Sequence, residues 1–288
     1  MSKFLQVYYH ALFGALGGLL GWWIVGSIAT QTWNIWAAAA VVGTGLGLCI
    51  GGMIAATDST MIKRVPKRAL YDGAIGALAG AIAGLLGFLL AQGAFLVLTG
   101  GFVGRALSWM LLGLLIGVSD FAVHRQLHRA RYAAIGGLAG GLAGGLIYEA
   151  LTQLFLAQSG TVQVILGGLG LVIVGACIGG LMPLARQVLS QAELRVISGE
   201  QTGLVREVTD ITSIGRYDGN DLYLPDAGVS WRHATVRCTD RGFELVVLPD
   251  AEQAAEIGAY DIIPGGTRML YHGDQIRIGA AVVEFVGR

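Results

Sequence analysis

Apolar residues run in six long stretches over the first two thirds of the chain, then break into short alternating runs. The long stretches cover about 6–29, 35–56, 73–98, 104–123, 132–156 and 162–185, each near the roughly 20 residues a helix needs to span bilayer hydrocarbon. A helix satisfies its own backbone polar groups, as lipid requires. The pattern predicts an α-helical polytopic membrane bundle over 1–187, with Pro183 and Arg186 ending the sixth helix and 186–192 forming a short polar connector. From Glu193 the runs are Leu194–Ile197, Leu204–Val208, Ile211–Ile214, Leu222–Leu224, His233–Cys238, Phe243–Leu248, Arg268–Tyr271, Gln275–Ile278 and Ala281–Val286. Turn residues such as Asp218-Gly219-Asn220 and His272-Gly273-Asp274 separate them. That texture predicts an all-β sandwich over 188–288.

Within the helical part a motif returns at a spacing of roughly 60 residues. Phe13-Gly14-Ala15-Leu16-Gly17-Gly18, Ile75-Gly76-Ala77-Leu78-Ala79-Gly80 and Ile135-Gly136-Gly137-Leu138-Ala139-Gly140 resemble one another. So do Cys49-Ile50-Gly51-Gly52, Leu115-Ile116-Gly117-Val118 and Cys177-Ile178-Gly179-Gly180. The expectation is three helical hairpins in one orientation. Small residues recur every fourth position, as at Gly43, Gly47 and Gly51 or Gly76, Gly80 and Gly84, forming faces on which helix backbones approach closely. The same faces suit a homo-oligomer.

Composition agrees with a membrane protein. Apolar residues make up 54% and charged residues 13%, against about 25% charged in soluble domains. The formal net charge of zero hides an asymmetry: residues 1–190 hold ten Lys and Arg against four Asp and Glu, and residues 191–288 nine against fifteen. The acidic second half is a poor candidate for nucleic-acid binding, which needs a basic surface. Lys63, Arg64, Lys67 and Arg68 follow the second stretch, and Arg125, Arg129 and Arg131 follow the fourth. The positive-inside rule then places these links, the N-terminus and the C-terminal domain in the cytoplasm of a multi-pass cell-membrane protein. The first stretch reads as a retained helix rather than a cleaved signal.

Candidate chemistry in the helical part is sparse. The ionisable residues within the stretches are His10, Arg105, Asp120 and Glu149, and Glu149 is the one a transporter would use. His124 and His128 stand four apart among arginines, where headgroup contact or solvation is expected rather than metal. Cys49, Cys177 and Cys238 fit no metal or disulfide spacing. No nucleotide loop or catalytic motif is present, so neither cofactor nor enzymatic activity is expected.

The β part carries a resemblance. Ser213-Ile214-Gly215-Arg216, Asn220-Asp221-Leu222-Tyr223-Leu224, Val229-Ser230-Trp231-Arg232-His233-Ala234, Gly273-Asp274-Gln275-Ile276-Arg277-Ile278-Gly279 and Phe285 follow in an order similar to forkhead-associated (FHA) domains. The whole arrangement resembles bacterial membrane proteins carrying such a domain. The resemblance implies phosphothreonine-peptide binding by loops at one end of the sandwich. Arg216 would supply a guanidinium and Ser230 a hydroxyl to the phosphate, with Trp231 and Arg232 beside them. Gly215, His233 and Gly258 would brace the loops. The second recognition loop is matched to Ile257-Gly258-Ala259-Tyr260, where the family's usual Asn is absent, and Asp250, Glu252 and Glu256 would repel a phosphate if they lay close.

The function expected is a signalling adaptor that recruits Ser/Thr-phosphorylated partners to the membrane. Two other readings are a structural part of a membrane or secretion assembly using the sandwich without phosphate, and a transporter or channel regulated by it. A polar cavity lined by Glu149 would favour the transporter.

Overall fold

The computed structural model describes residues 3–28, 33–62, 65–97, 101–125, 127–155, 160–208 and 211–287. The chain divides into two compact units, helices over Gln6–Arg186 and strands within Gln187–Arg288. The helices are α1 (Lys3–Gly26), α2 (Ile35–Thr57), α3 (Pro66–Val97), α4 (Gly101–His124), α5 (Leu127–Leu154) and α6 (Gly160–Leu189). All six are long and apolar enough to cross a membrane. The helix ends expected at 29, 98 and 156 lie outside the described residues, as do Lys63 and Arg64. Asn34 caps α2, its Oδ1 accepting the N–H groups of Trp36 at 2.7 Å and Ala37 at 3.2 Å.

The end of α6 corrects the sequence reading. The helix runs through Pro183 to Leu189, and only Ser190 and Gln191 separate it from the first strand. Pro183 gives up one hydrogen bond, to the Gly179 carbonyl. A helix of 30 residues tolerates that loss because its remaining bonds continue on both sides.

In the helical unit α2, α4 and α6 supply the central core: Ile50, Leu112, Ile116, Val174 and Ile178 are fully or almost fully buried. The outward face of α3 is apolar, with Leu70, Leu78, Ile82, Leu86 and Leu90 exposed. Helices α2 and α3 meet backbone to backbone. A Cβ on Gly47 would collide with the Gly80 carbonyl oxygen and stand 2.8 Å from Gly84 Cα. Bare backbone on both sides is what permits this approach, and dispersion over the contact then holds the pair.

Charges are buried at one end of this unit. After α2 the backbone widens into a π-helical turn, Asp58–Ile62, which turns Asp58 and Ser59 inward until both are buried. Arg129 of α5 bridges two carboxylates, giving Nη2 to Asp58 at 3.0 Å and Nε to Asp120 of α4 at 3.3 Å. His10 Nε2 lies 3.3 Å from Asp58, and His124 Nδ1 lies 3.2 Å from Asp120. Alongside, Ser59 Oγ donates to Asp72 at 2.5 Å and Arg68 Nε lies 2.9 Å from the same carboxylate. His124 is therefore not a surface residue, as its spacing had implied; the Asp120 carboxylate draws it inward. The His128 side chain lies outside the described residues. Each charge in the cluster has an opposite partner, the condition under which burial is tolerable.

The second unit holds β1 (Ala192–Ser198), β2 (Val205–Val208), β3 (Ile211–Gly215), β4 (Leu222–Tyr223), β5 (Ala234–Thr239), β6 (Gly242–Val247), β7 (Ala255–Ile257), β8 (Tyr260–Ile262), β9 (Thr267–Leu270), β10 (Gln275–Ile278) and β11 (Ala281–Gly287). One sheet has the order β2-β1-β11-β10-β7-β8 and the other β4-β3-β5-β6-β9. Leu194, Ile276, Val283 and Phe285 from the first sheet and Ile214, Leu222, Val236 and Leu245 from the second form the buried core. The stretch 249–258, expected as a loop, contains β7, and β8 follows it. Strands of three residues are too short to register as alternation in sequence.

The contact at Gly47 gives a prediction. Gly47→Val should destabilise the helical unit by at least the upper part of about 1–3 kcal/mol, read as an earlier thermal transition of the detergent-solubilised protein. Gly26→Ala, at a position with nothing within 4 Å, should leave the transition unmoved.

Candidate functional site

The site is built on the end of β3. Past Gly215 the chain stays laced to the loop before β5: Arg216 N–H donates to the Ser230 carbonyl and Tyr217 N–H to the Trp231 carbonyl, each at 2.9 Å. His233 N–H donates to the Ile214 carbonyl at 2.9 Å. A Cβ on Gly215 would stand 2.6 Å from the Trp231 carbonyl oxygen and 2.7 Å from Asn220 Nδ2. Gly215 is thus required by the close approach of the two loops. Asn220, itself buried, donates from Nδ2 to the Trp231 carbonyl at 2.9 Å. Asp221 accepts the Ser213 N–H at 2.9 Å and its hydroxyl at 2.7 Å, which folds the 216–221 loop back beside β3.

On this frame Arg216 and Arg232 are exposed, and neither is paired with an acidic side chain among the described residues. Trp231, 61% exposed, stacks on Tyr217 with ring centroids 4.9 Å apart and planes inclined by 26°. Two exposed arginines on the loops that also carry this aromatic stack are groups that can take an anion attached to a peptide.

Ser230 has a different position from that expected of a surface hydroxyl. It is buried, and its Oγ accepts the Glu252 N–H at 2.8 Å. The hydroxyl ties the loop after β6 to the loop before β5, with its hydrogen left to donate. His233 is fully buried; its Nδ1 accepts the Ser230 N–H at 3.1 Å, which puts the ring proton on Nε2. Nε2 is buried without a partner among the described residues. Burial holds the imidazole below its ordinary pKa, against the pull of the nearby Glu252 carboxylate.

Gly258 is not part of this site. It lies in the β7–β8 turn with φ of +61°, the left-handed conformation that a two-residue hairpin wants from glycine. Ile257 pairs with Ile276 and Ala255 with Ile278. The start of β7 is therefore the end facing the site, and Gly258 lies at the opposite end of the strand. The loop that does reach the site is 248–254. There the Glu252 N–H holds Ser230, and Gln253 Oε1 covers Gly228, 2.7 Å from where a Cβ would lie. Glu256 is drawn off toward Arg277 at 3.8 Å across the β7–β10 pair. From sequence Glu252 stood out only for its charge and Gln253 not at all, because a backbone donor carries no side-chain signal. Among the described residues no group of His, Cys, Asp and Glu could hold a metal.

Comparison with known proteins bears on this unit alone. The model of the FHA domain family matches residues 212–279, which identifies an FHA domain there. Among solved structures, the FhaA FHA domain is 23% identical over 33% of this chain and 98% of its own, with a TM-score of 0.29. A domain studied for phosphothreonine-dependent FHA interactions is 24% identical over 34% of this chain and 96% of its own, at 0.30. The N-terminal FHA domain of S. cerevisiae Rad53p, solved with a phosphothreonine peptide, is 13% identical over 34% of this chain and 93% of its own, also at 0.30. A search of curated proteins found no match.

The His233 environment fixes the sign of a pH effect. With its folded pKa depressed, the unfolded chain binds the extra proton first as pH falls below about 6.5. The FHA domain should lose stability through that range and keep it above. The protection factors of amides 234–239, taken after division by the intrinsic exchange rate at each pH, should fall on acidification, and His233→Gln should flatten the response.

Proposed function

We propose that the chain is a membrane-anchored adaptor that binds phosphothreonine peptides at the cytoplasmic face. The observation that carries this reading is the exposed Arg216, without an acidic partner among the described residues, on a loop locked by backbone hydrogen bonds to Ser230 and Trp231. A phosphate near two negative charges is best held by a fixed guanidinium. The FHA domain at this position brings the expectation of phosphothreonine as the ligand.

Anchoring is supported by six helices of spanning length and by outward faces such as that of α3, which in water would be an apolar patch in need of cover. In this reading the helices form three glycine-faced hairpins, with the basic links and the FHA domain on the cytoplasmic side. Binding is reversible and no bond in the ligand is made or broken. A second reading, transport, has one observation in its favour: Glu149 lines a cavity together with Arg105.

The test uses full-length protein in detergent against a phosphothreonine peptide library and its unphosphorylated counterpart. Arg216→Ala should weaken phosphopeptide binding roughly 30-fold or more, about 2 kcal/mol, with the strand content unchanged. Equal binding by parent and variant, or equal binding of both libraries, would overturn the adaptor. In the same titration Glu252→Gln should tighten binding by roughly twofold to fivefold, the scale of an exposed charge pair.

A further inference from the structure

The other end of the helical unit, away from the Asp58, Asp120 and Arg129 cluster, holds a cavity of about 280 Å³. It lies among the last turns of α3, the first turns of α4 and the last turns of α5. Phe88, Phe95 and Trp109 form its apolar walls, and Gln92, Arg105 and Glu149 are polar in its lining. The walls are preformed. Trp109 is held edge-on to Phe88 at 6.0 Å and tilted against Tyr148 at 5.0 Å.

The polar groups are unevenly satisfied. Glu149 is 2% exposed, and its Oε2 accepts from Arg105 Nη1 at 3.2 Å. Its other oxygen has no partner among the described residues. The Gln92 Nε2 is buried and also without a partner among them. The Arg105 side chain is 48% exposed. Among the described residues a buried carboxylate thus has one acceptor unused, an amide donor in the same lining is unused, and the cation is half exposed.

A ligand with net charge would unbalance an ion pair in a low-dielectric site, at a cost of several kcal/mol. A ligand carrying both signs would not. Its ammonium would meet the free Glu149 oxygen and the aromatic faces, which attract cations. Its anionic group would meet Arg105 and the Gln92 amide. The volume falls just under the roughly 300–1,000 Å³ of drug-sized sites, so the bound group is small. We propose that this cavity binds a net-neutral zwitterion of the ethanolamine phosphodiester type, either as the headgroup of a phospholipid or as free glycerophosphoethanolamine. If the helices span a bilayer, helix ends lie at headgroup depth, where Arg105 would find a phosphate. The chemistry at the cavity itself does not depend on that placement or on the phosphopeptide reading.

The experiment takes full-length protein, delipidated in detergent. Native mass spectrometry would follow retention of phosphatidylethanolamine against phosphatidylglycerol, and calorimetry would follow free glycerophosphoethanolamine. Retention of the ethanolamine lipid alone identifies a headgroup site; binding of the free compound identifies a site open to the soluble molecule. Either supports the proposal. Glu149→Gln should weaken binding roughly tenfold or more. Ala91→Phe, which fills the cavity without touching the ion pair, should abolish it while leaving helix content unchanged. Binding of neither ligand, equal retention of the two lipids, or unaltered binding by the Ala91→Phe variant would overturn the proposal. The free-ligand arm needs no bilayer, so its outcome is separate from whether the helices cross one.

Discussion

Both units of this chain rest on one constraint: two backbones can touch only where a side chain is missing. In the helical unit Gly47 lies against the Gly80 carbonyl and brings α2 and α3 closer than any larger residue would allow. In the sandwich Gly215 lets the 216–221 loop press against Trp231 and Arg232. The first contact seats α2 against α3 with no side chain between their backbones. The second sets the loop that carries Arg216 against the loop that carries Trp231. A missing Cβ therefore serves packing in one place and ligand geometry in the other.

The electrostatics of the two helical ends differ in kind. At the end holding Asp58, Arg129 stands between two aspartates, and each aspartate has a histidine on its other side. Such an arrangement joins α1, α2, α4 and α5 through directional contacts, which apolar packing cannot supply. At the other end Arg105 and Glu149 form a pair, and the Gln92 amide beyond it has no partner among the described residues. Closed networks specify structure, and open ones invite a ligand.

Much of this was legible in the sequence, for physical reasons. A membrane-length helix announces itself by unbroken apolar composition, and α2 begins at Ile35, where the pattern starts. The FHA motifs were readable because Gly215, Asn220 and His233 each do something only that residue type does: close approach, a buried amide donor, and a buried imidazole acceptor. What escaped had weaker local signatures. The strands β7 and β8 are too short to alternate, so the recognition loop was assigned to Gly258, a residue of the next turn. Ser230 carries the family's residue, yet its oxygen is engaged by a backbone N–H from a loop whose path no composition reveals. The inward turn of Asp58 depends on a π-helical widening, which leaves no periodic trace in five residues.

The partnership of Asp58 with Arg129 also bears on how the protein is made. Seventy-one positions separate them in the chain (|i−j| = 71), several seconds of synthesis at about 5–20 residues per second. During that interval the aspartate has been produced and its guanidinium has not. His10, 3.3 Å away in the finished fold, is made before it, but the guanidinium that offsets its burial is not. Final seating of the first helical pair thus belongs to a late stage of biogenesis, after the ribosome has delivered α5.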